Sequence, residues 1–250
     1  MPPRRGGLIS VDQAWQAVSL EERLELISKA QASGILASIA TMLLVGSIAY
    51  GFDKVWLLVA GIAGSSFVYP LFSSYSWRKE KPALILAYLA VRSMARRYAF
   101  AYNLGDLDIV FIYRAAIKEI FQDRSAAELA RQRQDIDGSS FVDGFKDVWV
   151  ILMRSGVVFL SERDGGAKME FITSFGNEAK LRKPAANEAA PDDRALVLEG
   201  AGFTKGRTVL LTSRYPGAHY VFEKKFQGLL EEQRQFMEAQ ERIRSNLQPV

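Results

Sequence analysis

Gly34–Phe52 (GILASIATMLLVGSIAYGF) and Val55–Tyr75 (VWLLVAGIAGSSFVYPLFSSY) are two apolar runs with only Asp53 and Lys54 charged between them. As helices rising ~1.5 Å per residue they reach roughly 28–32 Å, close to the ~30 Å hydrocarbon core of a bilayer. Neither run contains Asp, Glu, Lys, Arg or His. Lipid offers the backbone no hydrogen-bond partner, so only helices and closed barrels span it, and the runs lack the period-2 alternation of barrel strands. Tyr50, Trp56, Tyr75 and Trp77 sit near the ends, where amphipathic rings favour the headgroup level. A hairpin buried in a soluble core would need a more apolar remainder to wrap it. A cleaved signal peptide does not fit either, because a capped segment precedes the first run and a second run follows. The expectation is a transmembrane hairpin over residues 34–75, with spans 34–52 and 55–75.

Lysine and arginine set its orientation. Arg4, Arg5, Arg23 and Lys29 precede the first span. Arg78, Lys79 and Lys81 follow the second, with Arg92, Arg96 and Arg97 beyond, whereas the turn offers only Lys54 beside Asp53. The positive-inside rule therefore predicts an inner-membrane, multi-pass chain with both termini cytoplasmic. Those six residues, Arg78, Lys79, Lys81, Arg92, Arg96 and Arg97, are the candidate contacts to an anionic lipid surface. Small residues within the spans, Gly46, Gly61, Gly64 and Ser65, are the candidate helix-packing positions, serving either the hairpin itself or another membrane subunit. Pro70 should bend the second span, with Ser65 or Ser66 available to freed carbonyls. Without an intramembrane ionisable residue, an ion pathway carried by this chain alone is not expected.

The remaining chain divides around the hairpin. Its 250 residues carry a net charge of +4, mostly beside the spans, which is a membrane-surface signature before a nucleic-acid one. Residues 1–33 form a cytoplasmic N-terminal segment, in which Ser10-Val-Asp-Gln13 and Ser19-Leu-Glu-Glu22 fit the capping-box pattern. The first helix lies on the membrane or docks on the protein's own cytoplasmic domain; the residues leave both open. Residues 76–134 read as a basic, amphipathic helical linker. Pro82 suits a helix first turn, Gly105 breaks the helix and Asp106 can cap the next. Val110, Tyr113, Ile117, Ile120 and Phe121 keep helical spacing, although Asp108–Tyr113 alone could be a strand. Ser125-Ala-Ala-Glu128 is another capping box. Asp135-Ile-Asp137-Gly138 resembles part of a calcium loop but fails, since Arg133 and Gly144 fall at ligand positions.

From Asp147 the period changes to two. Asp147–Met153 and Gly156–Ser161 flank Arg154-Ser155 as a β-hairpin. Lys168–Thr173, Arg194–Glu199, Arg207–Ser213 and Ala218–Phe222 read as further strands, and Ser174–Asp193 as a long loop carrying Lys180–Lys183. Glu223–Leu247 reads as a terminal helix. Phe222, Phe226, Leu229, Phe236, Ile243 and Leu247 follow a three-four spacing, with Gln233 and Gln240 at the remaining seam positions. The first half should pack on the sheet and the second should project.

The hairpin Trp149–Leu160, the segment His219–Phe222 and the helix Phe226–Phe236 together resemble bacterial pleckstrin-homology-like domains attached to two-helix membrane hairpins. The resemblance covers residues 147–240. It implies a binding or assembly module without chemistry of its own. The fold class expected is thus an α+β membrane protein: transmembrane hairpin, helical linker, and a small antiparallel β-domain with a C-terminal helix over 135–250.

No catalytic constellation is visible. There is no cysteine and a single histidine, His219, so thiolate and multi-histidine metal sites are excluded. Gly200-Ala-Gly202-Phe-Thr-Lys205 misses both the dinucleotide and phosphate-loop patterns and reads as a hairpin connection. No cofactor is expected, and no nucleic acid. Two functions lead: a membrane-anchored structural or interaction subunit that binds a protein partner or self-associates, as in a secretion, conjugation or transport assembly; or a lipid-responsive module reading anionic headgroups with Arg92, Arg96, Arg97 and the Lys180–Lys183 loop. A membrane enzyme is a third class for which no residue can be nominated.

Overall fold

The computed structural model describes residues 9–52, 54, 56–120, 144–163, 166–175, 179–186, 188, 193–200 and 207–247. Two units emerge, one of Ala14–Tyr88 and one of Leu89–Val250 together with Met1–Gln13.

Capping chemistry starts the N-terminal helices. Helix α1 (Val11–Ala17) opens on a reciprocal box: Ser10 N donates to Gln13 Oε1 at 3.0 Å and Gln13 N to Ser10 Oγ at 3.2 Å. Before helix α2 (Leu20–Phe52), Glu22 N donates to Ser19 Oγ at 3.3 Å, and the Ser19 hydroxyl donates to Glu22 Oε2 at 2.7 Å. Each box satisfies amide donors that the first helical turn leaves orphaned. Helix α2 then runs unbroken from the polar lead-in through the first apolar run, and helix α3 (Trp56–Ala101) runs unbroken through the second and on to Ala101.

Two predicted details change here. Pro82 lies inside α3 and does not open a helix. Its missing N–H removes one ladder bond, and strong helix formers on both sides carry the ladder past it. Ser65 and Ser66 do not serve carbonyls freed by Pro70; both hydroxyls donate to Ile62 O, at 2.8 and 3.1 Å.

Both helices are long and apolar enough to cross a membrane, and only 6% and 11% of their most apolar windows are buried. A core helix of a soluble protein would be mostly buried. Close packing joins the two helices at a few points. A Cβ on Gly61 would meet Val45 Cγ1 at 2.9 Å, and one on Gly34 would meet the Tyr69 carbonyl oxygen at 2.8 Å. The Ser38 hydroxyl donates to Ser65 O at 3.1 Å, a hydrogen bond between helices. Gly46 is looser, 3.9 Å from Leu58, and a Cβ on Gly64 meets nothing within 4 Å.

Helix α3 ends on a left-handed residue. Asn103 has φ 53°. Leu104 N donates to Ala99 O at 2.9 Å and Asn103 N to Phe100 O at 3.1 Å. This is the paired 6→1 and 5→2 pattern of a Schellman end, with asparagine in the place usually held by glycine. Gly105 therefore lies beyond the break. Asp106 caps no helix; its Oδ1 accepts from Asp108 N at 2.9 Å and turns the chain into a strand.

That strand is the main departure from the expected linker. Residues 109–120, predicted as helix, form β1 (Ile109–Ile120), and the β-domain begins there, not at 135. Val110, Tyr113, Ile117 and Ile120 fit a helical spacing in part, but Tyr113, Ala115 and Ile117 also alternate, and tertiary pairing decides. The Ser125 capping box and the Asp135–Gly138 segment lie outside the described residues.

Among the described residues six further strands follow: β2 (Lys146–Met153), β3 (Gly156–Arg163), β4 (Gly166–Ser174), β5 (Lys180–Arg182), β6 (Leu196–Gly200) and β7 (Arg207–Thr212). Their order is β4-β3-β2-β1-β7-β6-β5, antiparallel throughout. Two meanders, β1–β4 and β5–β7, thus become one sheet through β1. Its residues 109–117 pair with β2 and its residues 116–120 with β7. The predicted β2–β3 hairpin closes on Arg154-Ser155, with Met153 opposite Gly156. The predicted loop 174–193 is corrected: Ser174 ends β4, and β5 lies within it, paired with β6 beyond it.

Helix α4 (Pro216–Leu247) covers one sheet face. The predicted strand Ala218–Phe222 is its first turns. Pro216 sits at the first helical position, where its missing N–H costs nothing. His219 N then donates to Tyr215 O at 2.9 Å. Ala218, Phe222 and Phe226, four apart, are buried in the core with Tyr113, Phe171 and Phe175. The opposite sheet face is also covered, with Ile151, Met153, Val158 and Ile172 fully buried.

Two predictions test these contacts. Phe222→Ala should cost the β-domain about 3–5 kcal/mol, read as a lower denaturant midpoint of the full chain in detergent. Gly61→Leu should destabilise the hairpin by about 1–3 kcal/mol, while Gly64→Leu, with open space before it, leaves the thermal midpoint unchanged.

Candidate functional site

A cleft of about 300 Å³ opens on the sheet beside the place where β7 leaves β1. Register builds it. Arg114 of β1 stands opposite Trp149 of β2, which stands opposite Leu160 of β3. Tyr113 and Ala115 point into the core under α4, so Arg114 points to the other face. Its guanidinium lies 4.5 Å from the Trp149 ring centroid, and its Nη2 donates to Glu162 Oε1 at 3.3 Å. The Trp149 indole N–H donates to the same carboxylate oxygen at 2.7 Å. Glu162 therefore fixes both partners of a cation–π pair. Ser213 closes the rim: its hydroxyl donates to Arg114 O at 2.8 Å and accepts from Tyr215 N at 3.1 Å.

Arg114 and Arg214 face Asp147 and Glu162 around the cleft, with the hydroxyls of Thr212 and Ser213. The lining is balanced in charge, so it selects no simple anion. Its polar side chains are hydrogen-bonding groups set among Ala115, Ala116 and Val148, and among the described residues no nucleophile stands beside a base held by a third group there. Among the described residues no cluster of His, Cys, Asp and Glu could hold a metal ion.

His219 fastens α4 to the sheet. One ring nitrogen, Nε2, lies 3.1 Å from Arg194 O, and Nδ1 lies 3.0 Å from the Tyr113 hydroxyl. A carbonyl can only accept, so Nε2 carries the proton and Nδ1 accepts from Tyr113. Burial pushes the Tyr113 phenol well above its ordinary pKa, which keeps it a donor.

The basic segment Lys180–Lys183, expected to read headgroups from a loop, is mostly strand β5, and its Arg182 and Lys183 lie beside carboxylates. Arg182 Nε donates to Glu199 Oε1 at 2.6 Å, and its two terminal nitrogens donate to the Glu188 oxygens at 2.7 and 2.6 Å. Lys183 Nζ lies 3.9 Å from Glu223 of α4. The Arg182 guanidinium is held above its usual pKa by these hydrogen bonds.

The six candidate lipid contacts fall in both units. Arg78 and Lys79 are exposed, whereas Lys81 Nζ sits 5.0 and 5.4 Å from the Trp15 and Trp77 ring centroids. Arg97 is exposed, and Arg92 and Arg96 are half-buried. Of the four packing candidates, Gly46, Gly61 and Ser65 lie at the α2–α3 contact, as does Gly34, whereas Gly64 has open space before it.

The distal half of α4 is a second candidate surface. After Leu230 the helix is exposed almost all round to Arg244. Phe236, Met237 and Ile243 are 58%, 48% and 59% exposed, unlike the buried Phe222 and Phe226 of the same stripe.

No protein-family model matches the chain, and no curated protein matches it. Solved structures overlap it in part. The DH/PH domains of PDZ-RhoGEF, crystallised with GTPγS-activated RhoA, share 12% identity at a TM-score of 0.37, covering 89% of this chain and 68% of that one. The Slm1 PH domain, crystallised with D-myo-inositol-4-phosphate, shares 6% identity at a TM-score of 0.31, covering 48% and 95%. The Vav1 exchange factor shares 11% at 0.32, covering 71% and 44%. Pleckstrin-homology domains recur among these structures. The architecture of this chain rests on its own strand order and register.

The Glu188 carboxyl makes a pH prediction. Hydrogen bonds from Arg182 pull it from 4.5 down to about 2. A depressed carboxylate stabilises the fold above its unfolded pKa and loses that contribution as pH falls through the folded one. The protection of the Leu181 amide, taken against the intrinsic exchange rate at each pH, should therefore fall between pH 4.5 and about 2, and Glu188→Gln should abolish that acid step while lowering protection at neutral pH.

Proposed function

We propose that the chain is a membrane-anchored interaction subunit. The hairpin 34–75 lies in the inner membrane with both termini cytoplasmic, and residues 109–247 form a PH-like binding module on the cytoplasmic side. The distal half of α4 docks a protein partner or a second copy, within a secretion, conjugation or transport assembly. The module carries no catalysis and needs no cofactor, and nucleic acid is not its target.

The observation behind this reading is the change along α4. Its first half fills the core with Phe222 and Phe226, and its second half holds Phe236 and Ile243 on the same stripe in the open. Gln233 and Gln240 between them weaken the stripe as a self-contained core and suit register selection against a matching helix. The cleft beside Arg114 offers polar recognition with no reacting group.

The alternative, a module reading anionic lipid with Arg78, Lys79 and Arg97, draws on their exposure. It loses the Arg182 contribution, because that guanidinium is already held by Glu188 and Glu199.

A double substitution, Phe236→Ser with Ile243→Ser, separates the two. In mild detergent it should reduce the associated mass, or the yield of the co-purifying partner, by about tenfold or more, the equivalent of about 1.4 kcal/mol. Thermal stability should stay unchanged, since both side chains are exposed. Unchanged association would contradict the reading.

A further inference from the structure

A groove of about 420 Å³ runs between α2 and α3 at one end of the apolar runs. Ile27, Ala30 and Gln31, spaced three and four apart, form one wall. Tyr69, Ser73 and Trp77, spaced four apart, with Ser74 and Arg78 one position on, form the other. The helices are tight just beyond its floor, where Gly34 meets Tyr69. The room arises where small side chains, Ala30 and Ser73, stand between them.

The lining is graded. The floor beside Tyr69 leads to the exposed apolar flank of the hairpin, including Phe72, Leu71 and Leu36. The middle offers the Ser73 and Ser74 hydroxyls and the Gln31 amide. The mouth holds the Trp77 ring and the exposed Arg78 guanidinium. Trp77 is itself fixed, edge-on to Trp15 at 5.5 Å with Lys81 beside both rings. A second cation is thus held close to the mouth. No carboxylate lines the groove.

Apolar at one end, hydroxyl-bearing in the middle and cationic at the other, this order matches a phospholipid with an anionic headgroup. Basic pockets between membrane helices on the cytoplasmic side hold such headgroups, and arginine presents paired donors to phosphate. We propose that the groove binds one anionic phospholipid per chain. The phosphate sits between Arg78 and the Ser73, Ser74 and Gln31 side chains, and an acyl chain passes Tyr69 along the hairpin. The proposal rests on the hairpin being in the membrane, and it is independent of what α4 docks.

The test uses the full chain in detergent, titrated with phosphatidylglycerol or phosphatidylcholine and read by native mass spectrometry. Phosphatidylglycerol should saturate at one retained lipid per chain, with phosphatidylcholine retained at least about fivefold less. Arg78→Gln should weaken phosphatidylglycerol retention about fivefold. Ser73→Leu, which fills the groove, should abolish it, and Lys54→Gln, in the turn at the other end of the two helices, should leave it unchanged. Helicity by circular dichroism separates a filled groove from a misfolded hairpin, and Arg78→Gln carries the test if Ser73→Leu misfolds. Equal retention of the two lipids, indifference to Arg78→Gln, or displacement by millimolar inorganic phosphate would overturn the proposal. Alkaline carbonate extraction tells the two failures apart. A chain that stays in the membrane but retains no lipid sinks the groove alone, whereas a chain that washes off removes the membrane reading beneath it.

Discussion

Ile35, Leu36, Leu43, Leu44, Phe67 and Leu71 stand exposed on two helices whose mutual contact is narrow. Each large apolar side chain left in water forfeits about 1.5–3 kcal/mol of burial, and two helices with this exposure are long and apolar enough to cross a membrane. The helices meet where side chains are absent, at Gly34 and Gly61, and where a Ser38 hydroxyl reaches a backbone carbonyl. That is how helices associate when no hydrophobic drive separates them from their surroundings. The proposed anchorage and the proposed lipid groove both rest on this exposed surface.

The β-domain depends on a different device. Strand β1 pairs with β2 along most of its length and with β7 at its end, which joins the two meanders. The same strand turns Tyr113 under α4 and Arg114 out to the cleft. One residue of register separates a core phenol, hydrogen-bonded to His219, from a guanidinium stacked on Trp149. A slip by one would exchange them, so the sheet core fixes the recognition surface as well.

These two parts were unequally legible. The hairpin, the β2–β3 turn and the capping boxes are local signals, carried by charge absence, alternation around Arg154-Ser155 and Ser–Glu spacing. The distal stripe of α4 was legible too, through Phe236 and Ile243. Strand β1 is not legible locally, because its apolar residues satisfy two periods in part and its partners lie far along the chain. The first turns of α4 were read as strand because Tyr220 and Phe222 alternate, although Pro216 marks a helix start. Strand β5 was hidden in polar sequence; only its pairing with β6 and the grip of Glu188 and Glu199 on Arg182 define it. The cleft was invisible for the same reason, since Arg114, Trp149 and Glu162 meet only through register.

The proposed orientation rests on the Lys and Arg asymmetry around the two apolar runs. The chain has no cysteine, which makes single introduced thiols unambiguous reporters. Lys54→Cys and Val250→Cys variants, treated in intact cells with a membrane-impermeant maleimide, test the central claim most directly. Labelling at position 54 and protection at 250 until the cells are opened is the predicted result. Labelling at 250 from outside, or recovery of the full chain in the soluble fraction without detergent, would contradict it.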